Sequence, residues 1–511
     1  MSSSHPSICV SICERDWPSV DRARRDLGKF HGLIEIRLDC CEPNTLKNLD
    51  SLRGLLATYP QPTILTFRAP AEGGKMQVDR ETRFCFWRDK GLQLPSDFAD
   101  LELDIVEQLS REGSGVNWSR VICSYHNTEQ VLADLNQIFR RLAATPAYVL
   151  KVAVRVNDTV DCLQIFDLLK TAKRDQREVI AIGMGSAGVA TRILGPSRGA
   201  FLTYASPKDE RATAAGQISV EELTSVYRLE KITHDTRITG LVGSPVSHSI
   251  SPQVHNAAFE SSGVDAVYIP FEVRDLKAFF KRMVRARTRE IEWRLRGLSI
   301  TAPHKTAVLA ELDWIEPAAR EIGAVNTVVV EDDRLRGYNT DAQAFMEPLK
   351  NLLGSLKDIS VAIIGAGGAA SAALYGLKQE GAKATIFGRD IQKAMHLADR
   401  WTVECRELKG AVFAEFDVVV NATPLGTRGR LENETAAMAN QLRGARLAYE
   451  LVYNPTVTRF LREARGAGCE TLDGLPMFLT QAARQFQLWT GQVADDDVVK
   501  AAANKALSKT N

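Results

Sequence analysis

Short β-rich apolar runs recur roughly every 20 to 30 residues through the first 230 positions, separated by stretches whose apolar residues fall at helical spacing. The runs are SICVSIC (7–13), GLIEIRLD (32–39), TILTFR (63–68), FADLEL (98–103), RVICSYH (120–126), AYVLKVAV (147–154), EVIAIGMG (178–185) and AFLTYA (200–205). TEQVLADLNQIFRRLAA (128–144) is typical of the intervening helical stretches. Eight strand–helix units predict a (β/α)8 barrel of parallel strands joined by helical crossovers. Several runs end in polar groups such as Glu35, Arg37, Arg68 and His126. The C-terminal strand ends of such a barrel build its site, so that placement is informative.

The polar stretch LEKITHDTR (229–237) marks a boundary. Beyond it, residues 238–342 mix the short strands TGLVG, YIPFEV, GLSIT and NTVVV with helices. At 360–365 the run SVAIIG opens a βαβ pattern that continues through ATIFGR (384–389), FDVVVNATP (416–424) and LAYELV (447–452). From Phe478 the chain reads as helical and is expected to fold back on the 238–342 lobe. The expected domains are therefore 1–232, 233–342 completed by 475–511, and 343–474.

Composition changes this picture little, because 45% hydrophobic and 25% charged residues are ordinary for globular protein. A net charge of +1 over 511 residues argues against nucleic acid or anionic membrane as a partner. The N-terminal residues lack a signal-peptide pattern, and no 18-residue apolar run suggests a membrane span. Nine scattered cysteines without metal spacing predict free thiols in a reducing cytoplasm, and no metal site. Oligomeric state is not encoded in any pattern here.

Lys151 stands inside the apolar run YVLKVAV. An ammonium there is costly unless paired or neutralised, and cations such as Arg37 would favour the free amine that attacks ketones. A lone lysine of this kind more often snorkels to water. Its neighbours change that balance. His126 can serve as base and acid, Glu72 can orient it, and Arg68 and Arg192 can hold a carboxylate. Taken together, EIRLD, TFRAPAEGG, SYHN, the KVAV lysine, GMGSAGVATR and ATAAGQIS resemble type I 3-dehydroquinate dehydratase over residues 7 to about 228. The resemblance implies that Lys151 forms an iminium with the substrate ketone and that His126, positioned by Glu72, moves the protons. It also implies that Glu35, Arg37, Arg68, Arg192, Gln217, Thr213 and Ser11 hold hydroxyls and carboxylate. Two departures stand out: Thr213-Ala-Ala-Gly-Gln replaces the usual Ser-Ala-Pro-Gly-Gln, and Tyr204 replaces phenylalanine.

In the second half, VAIIGAGGAASAAL reads as strand, glycine turn and helix start, with Gly365, Gly367 and Ala370 satisfying GxGxxA. The following strand ends in Arg389 instead of an acid, with Lys393 one helical turn on, which favours a 2′-phosphate and hence NADP. Asp390 beside Arg389 would repel that phosphate if it pointed inward. Upstream, Ser249 and Ser251 share a face if extended, and Lys305 and Asp341 can share a proton. An isolated Lys–Asp pair is more often a plain salt bridge. The set GSPVSHSISPQVHN, LSITAPHK, GAVNT, YNTDA, GAGGAA, FGRD, NATPLG, YELVYNP and DGLPMFLTQAA resembles shikimate dehydrogenase over 238 to about 490. This implies a two-lobed unit with a Rossmann NADP lobe and Lys305 and Asp341 as the catalytic pair. Ser249, Ser251, Thr301, Asn326, Tyr453 and Gln481 would bind ring hydroxyls and carboxylate. Gly365, Ala366, Gly367, Gly368, Ala369, Arg389, Lys393, Thr423, Leu451 and Gly474 would contact NADP. Ser299 stands where asparagine is usual, and GRD replaces Asn-Arg-Thr, whereas His248 and His304 read as surface or packing residues.

The two resemblances imply consecutive reactions on small molecules: dehydration of 3-dehydroquinate, then NADPH-dependent reduction of 3-dehydroshikimate to shikimate. Two alternatives are a quinate-oxidising second half and a catalytically inert metabolite sensor. Retained Ser251 and Thr301 favour shikimate over quinate. Retained Lys151, His126, Lys305 and Asp341 oppose the inert reading.

Overall fold

The computed structural model describes residues 8–28, 30–113, 115–129, 134–208, 213–331 and 333–509. Ser7, residues 130–133 and Ala212, which fall in the expected strand 7–13, the helical stretch 128–144 and the motif 212–219, lie outside them. Two compact units emerge. The first comprises Met1–Thr236, Phe271–Asp275 and Glu290–Trp293, and the second holds Arg237–Pro270, Leu276–Arg289 and Arg294–Asn511.

In the first unit, strands β1 (Ile8–Ile12), β2 (Leu33–Arg37), β3 (Thr63–Thr66), β4 (Phe98–Glu102), β5 (Val121–Asn127), β6 (Val149–Arg155), β7 (Glu178–Met184) and β8 (Thr203–Ser206) coincide with the eight apolar runs. They run parallel in the order β7-β6-β5-β4-β3-β2-β1-β8, with a short β9 (Ile218–Ser219) beside β8. A backbone hydrogen bond from Phe201 N–H to Val179 C=O spans the seam between β7 and β8, at 2.8 Å. Most strand residues are buried, because helices cover the outside while side chains fill the inside. The inner layer includes Cys9, Leu33, Ile64, Phe98, Ile122, Val149 and Ile180. Free thiols are not universal here. Cys13 and Cys40 form a disulfide, because the end of β1 and the turn after β2 lie side by side and bring the two Cα atoms to 5.3 Å.

The second unit holds two sheets. β10 (Arg237–Gly243), β11 (Ala266–Glu272), β12 (Arg294–Ile300), β13 (Trp314–Ile315), β14 (Thr327–Glu331) and β15 (Arg334–Tyr338) form a mixed sheet in the order β11-β10-β12-β14-β15-β13. The helix Asp341–Leu353 follows it in the chain. There β16 (Ser360–Ile364), β17 (Lys383–Gly388), β18 (Glu404–Glu407), β19 (Val418–Asn421), β20 (Leu447–Glu450) and β21 (Glu470–Leu472) form a parallel sheet ordered β18-β17-β16-β19-β20-β21. The strand order reverses direction between β16 and β19, which is where open sheets of this class hold dinucleotides. The C-terminal helices Leu475–Thr490 and Asp496–Ser508 return to the first sheet, packing Phe486, Trp489 and Ala503 against Val254, Phe259 and Tyr268. No helix among the described residues is long and apolar enough to cross a membrane.

Two candidate active sites

A cavity of about 400 Å³ opens inside the strand ring of the first unit. Lining it are Ser11, Glu35, Arg37, Arg68, Glu72, His126, Lys151, Arg192, Thr213 and Gln217, all ten residues expected there. Period-2 alternation turns Lys151 inward from β6, where it is 4% exposed. Its Nζ donates to Asp100 Oδ2 at 2.7 Å, lies 3.8 Å from Glu35 Oε1, and sits 4.0 Å from the centroid of the Tyr204 ring. Arg37, the cation expected near Lys151, lines the same cavity and forks onto Asp39, at 2.8 and 2.7 Å.

On the adjacent strand β5, His126 Nδ1 is 3.0 Å from Glu72 Oε2. Glu72 ends the helical turn Pro70–Glu72 that follows β3. Burial pushes the Glu72 carboxyl up to about 8, against the opposing pull of Arg68. Burial, reinforced by the Arg68 and Lys151 cations, drives the His126 imidazole well below its ordinary range. Both groups are thus pressed toward their neutral forms. Once Glu72 ionises, its carboxylate accepts from Nδ1–H and leaves Nε2 able to take a proton.

The two arginines expected to hold a carboxylate differ sharply. Arg68 is heavily engaged: it donates to Asp100 at 2.8 Å, Ser124 at 2.7 Å and Glu72 at 3.3 Å. Arg192 is 2% exposed, and among the described residues it makes one long bond, 3.4 Å, to the Ala215 carbonyl. Its Nε finds no partner among the described residues, and burial lowers the guanidinium to about 10. A buried cation left in that state calls for an anion. Around it, Glu35 accepts from Ser11 at 2.6 Å and from Thr66 at 2.7 Å, while Gln217 accepts from the Thr213 hydroxyl at 3.0 Å.

In the second unit, Lys305 Nζ meets Asp341 Oδ2 at 2.5 Å. Asp341 opens the helix Asp341–Leu353, and its other oxygen accepts from Asn326 Nδ2 at 2.8 Å. Asn326 also donates to Thr340, at 2.8 Å, so one amide fixes the carboxylate's orientation. Ser249 donates to Ser251 at 3.0 Å and lies 3.3 Å from the Tyr453 hydroxyl, whose ring stacks on Phe478 at 4.1 Å. Thr301 follows the end of β12, and a Cβ on Gly243 would lie 2.3 Å from its methyl group. Gln481, on the helix Leu475–Thr490, donates to the Phe478 carbonyl at 3.0 Å. Ser299, the departure from asparagine, donates to Gln485 at 2.7 Å, and Gln485 in turn donates to Thr327 at 3.0 Å. Nothing in the local pattern singled out Gln485, which is buried among these partners.

The glycine turn Gly365–Ala369 joins β16 to the helix Gly368–Gln379 at the point of strand reversal. Gly365 has φ +127°, and a Cβ there would meet the Ala422 carbonyl at 2.9 Å. Across the turn, a Cβ on Gly368 would touch Lys305 at 3.3 Å, which puts the turn beside the Lys–Asp pair. Arg389 and Lys393 are exposed beyond β17. Asp390 does not oppose them, because its side chain caps the helix Ile391–Trp401 by accepting from Lys393 N–H at 3.1 Å. On the far side, Asn421 accepts from the Thr423 hydroxyl at 2.6 Å, and Leu451 N–H bonds the Asn421 carbonyl at 3.2 Å. Gly474 packs within 2.8 Å of Leu451 backbone, measured from a Cβ it lacks. Glu450 ties Asn421 to Thr458, and burial raises its carboxyl to about 7.

Comparison with known proteins matches the two parts of the chain to two families. Residues 8–234 match the family of type I 3-dehydroquinases. The shikimate dehydrogenase substrate-binding domain matches 241–328, shikimate/quinate 5-dehydrogenase matches 347–453, and the shikimate 5′-dehydrogenase C-terminal domain matches 474–503. The chain is 32% identical to the chloroplastic bifunctional 3-dehydroquinate dehydratase/shikimate dehydrogenase of Arabidopsis thaliana, covering 97% of this chain and 84% of that one. It is 36% identical to the NADP(+) shikimate dehydrogenase of Caldanaerobacter subterraneus, over 53% of this chain and 97% of the relative. A crystal structure of shikimate 5-dehydrogenase from Thermus thermophilus with NADP(H) and shikimate is 37% identical, covering 53% of this chain and 99% of that one, with a TM-score of 0.47. With a buried lysine in a strand ring ahead of a glycine-turn nucleotide sheet, and a relative matching nearly end to end, this chain belongs to the bifunctional 3-dehydroquinate dehydratase/shikimate dehydrogenase family.

Proposed function

We propose that the first site dehydrates 3-dehydroquinate and the second reduces the resulting 3-dehydroshikimate, with 1–232 as the dehydratase, 233–342 plus 475–511 as the substrate lobe, and 343–474 as the nucleotide lobe. The observation carrying the first assignment is Lys151, an amine held in a cavity shared with a half-buried His–Glu pair and an under-satisfied arginine. Arg192 takes the substrate carboxylate, an anion that none of the described residues supplies to it. Lys151 condenses with the ketone, and the resulting iminium acidifies the adjacent C–H. His126 removes that proton and returns it to the departing hydroxyl, with Glu72 holding the ring. Arg37, Glu35, Ser11, Thr213 and Gln217 orient the ring hydroxyls. Arg68 lines the same cavity and, through its bonds to Asp100, Ser124 and Glu72, also organises the carboxylates of the site.

For the second site, Ser249, Ser251, Thr301, Asn326, Tyr453 and Gln481 present hydroxyl and amide groups to a polyol ring, and Lys305 with Asp341 delivers a proton to the ketone oxygen. The residues present fit a phosphorylated dinucleotide: Gly365 leaves room no Cβ could share, and Arg389 and Lys393 stand exposed beyond β17 while Asp390 is turned into a cap. When bound, NADPH supplies the hydride. Gly365, Ala366, Gly367, Gly368 and Ala369 bring backbone to its pyrophosphate, and Thr423, Leu451 and Gly474 frame the nicotinamide side. An inert sensor is disfavoured by the intact Lys305–Asp341 and His126–Glu72 contacts.

The deciding experiment is borohydride reduction in the presence of 3-dehydroquinate, followed by peptide mass mapping. A reduced adduct on Lys151 is expected. An unmodified Lys151 under turnover conditions overturns the dehydratase reading.

A further inference from the structure

The partner of Lys151 is a residue the mechanism above does not use. Asp100, on β4, is fully buried and touches two cations at once, with Oδ2 on Lys151 Nζ at 2.7 Å and Oδ1 on Arg68 Nη2 at 2.8 Å. The Arg68 bond fixes the carboxylate, so it cannot swing away when Lys151 reacts. Against the desolvation that would raise it, the Arg68 and Lys151 cations hold Asp100 well below the usual carboxylate range. It is therefore a permanent anion and a poor base.

The charge balance of iminium formation explains what a permanent anion does there. An ammonium and a ketone give a protonated iminium and water. A carbon–nitrogen double bond replaces the carbon–oxygen double bond, and the oxygen leaves with two of the three ammonium hydrogens. The nitrogen carries one positive charge before and after, so the carboxylate that balances the resting ammonium also balances the iminium. When His126 takes the carbon-bound proton, the electron pair moves to nitrogen and neutralises it as an enamine. Expulsion of the hydroxyl, protonated by His126, returns the charge to nitrogen, and water then releases product and restores the ammonium.

The other groups facing Nζ do not duplicate this role. Glu35 is farther, at 3.8 Å, and both its oxygens already accept from Ser11 and Thr66. Tyr204 offers its ring face, Cys9 is a buried thiol pushed upward by desolvation, and Arg68 and His126 add no negative charge. Without Asp100 the iminium would be left with the Arg68 guanidinium nearby and only the more distant Glu35 carboxylate to balance it, and would shed its proton and lose its electron demand.

We propose that Asp100 is the fixed counter-ion of the Schiff-base nitrogen, keeping it protonated from iminium formation through product release. This rests on the reading that Lys151 forms the iminium.

The test compares wild type with Asp100→Asn, which keeps the shape and removes the charge. Wild type is first trapped with borohydride. Its kcat–pH profile is then set against that of the variant, with far-UV circular dichroism and thermal melting of the full chain as the measure of correct folding. Removing a preorganised charge at a reacting atom should lower dehydratase kcat by roughly 10²-fold at pH 8. It should also move the alkaline limb of the profile down by about one pH unit or more, while KM changes by less than about threefold. A limb that stays in place, whether kcat is retained or falls equally at every pH, overturns the proposal. Failure to trap Lys151 in wild type would instead remove the underlying reading, so the two failures are distinct. Should Asp100→Asn misfold by those measures, Asp100→Glu carries the test. Retaining the charge, it should leave the limb in place, and a shifted limb there overturns the role.

Discussion

The two sites of this chain solve the same problem, activating a ring ketone, with opposite allocations of charge. The barrel site is crowded with formal charge: Lys151, Arg68, Asp100, Glu35 and Glu72 are all buried or nearly so, and most are paired with each other at hydrogen-bond distance. The reductase site has one ion pair, Lys305–Asp341, surrounded by neutral hydroxyl and amide groups. Its remaining cations, Arg389 and Lys393, are exposed. The difference follows from where the electrons go. A site that uses its own amine as the electron sink must build the compensating field into its walls. A site that borrows a hydride donor needs only to position partners and move one proton.

The largest test of this contrast is Lys151→Ala. It should abolish dehydration while leaving shikimate oxidation by NADP intact, and dehydratase turnover surviving in the variant would break the comparison. Next, Lys305→Ala should cut reductase kcat by roughly 10²–10⁴-fold. The KM for NADP should hardly move, and an equal loss in both would contradict the proton-delivery role. A third outcome concerns pH. With Glu72 raised to about 8, the proton-abstracting form of the His126–Glu72 pair grows as pH rises through that value. Dehydratase kcat should climb over the same interval, and Glu72→Gln should flatten the climb. The smallest expected effect is Arg389→Ala. Losing one exposed charged contact to a 2′-phosphate should raise KM for NADP roughly tenfold with little change for NAD. Equal effects on both would show that Arg389 does not read the phosphate.

The contrast also governs what could be read from the amino-acid order. All eight barrel strands and the central strands of both later sheets announce themselves as apolar runs, because helices or neighbouring strands bury them on both faces. The missed strands are short and polar. β13, β18 and β21 lie at sheet edges, where water satisfies one side, and β15 alternates exposed arginines with Leu335 and Gly337. The cavity residues were legible because each ends a strand or belongs to a recognisable motif. Asp100 was not, since its partner Lys151 lies 51 positions away and FADLE reads as an ordinary strand. A signal was nevertheless present: Asp100 and Glu102 occupy alternate positions in an otherwise apolar run, so both face the same side. The Cys13–Cys40 bond escaped for a similar reason, because adjacency of β1 and the turn after β2 comes from parallel pairing and not from spacing.

Arg192 carries one last consequence. A guanidinium enclosed at 2% exposure with no carboxylate partner among the described residues weakens the barrel that contains it, because the unfolded chain would hydrate that charge freely. An anion that enters and docks on it binds only the native form and so pulls the folding equilibrium toward native. Saturating the barrel with a non-reacting cyclic carboxylate should therefore delay its melting, and Arg192→Met should melt later than wild type when empty yet gain nothing from the added acid.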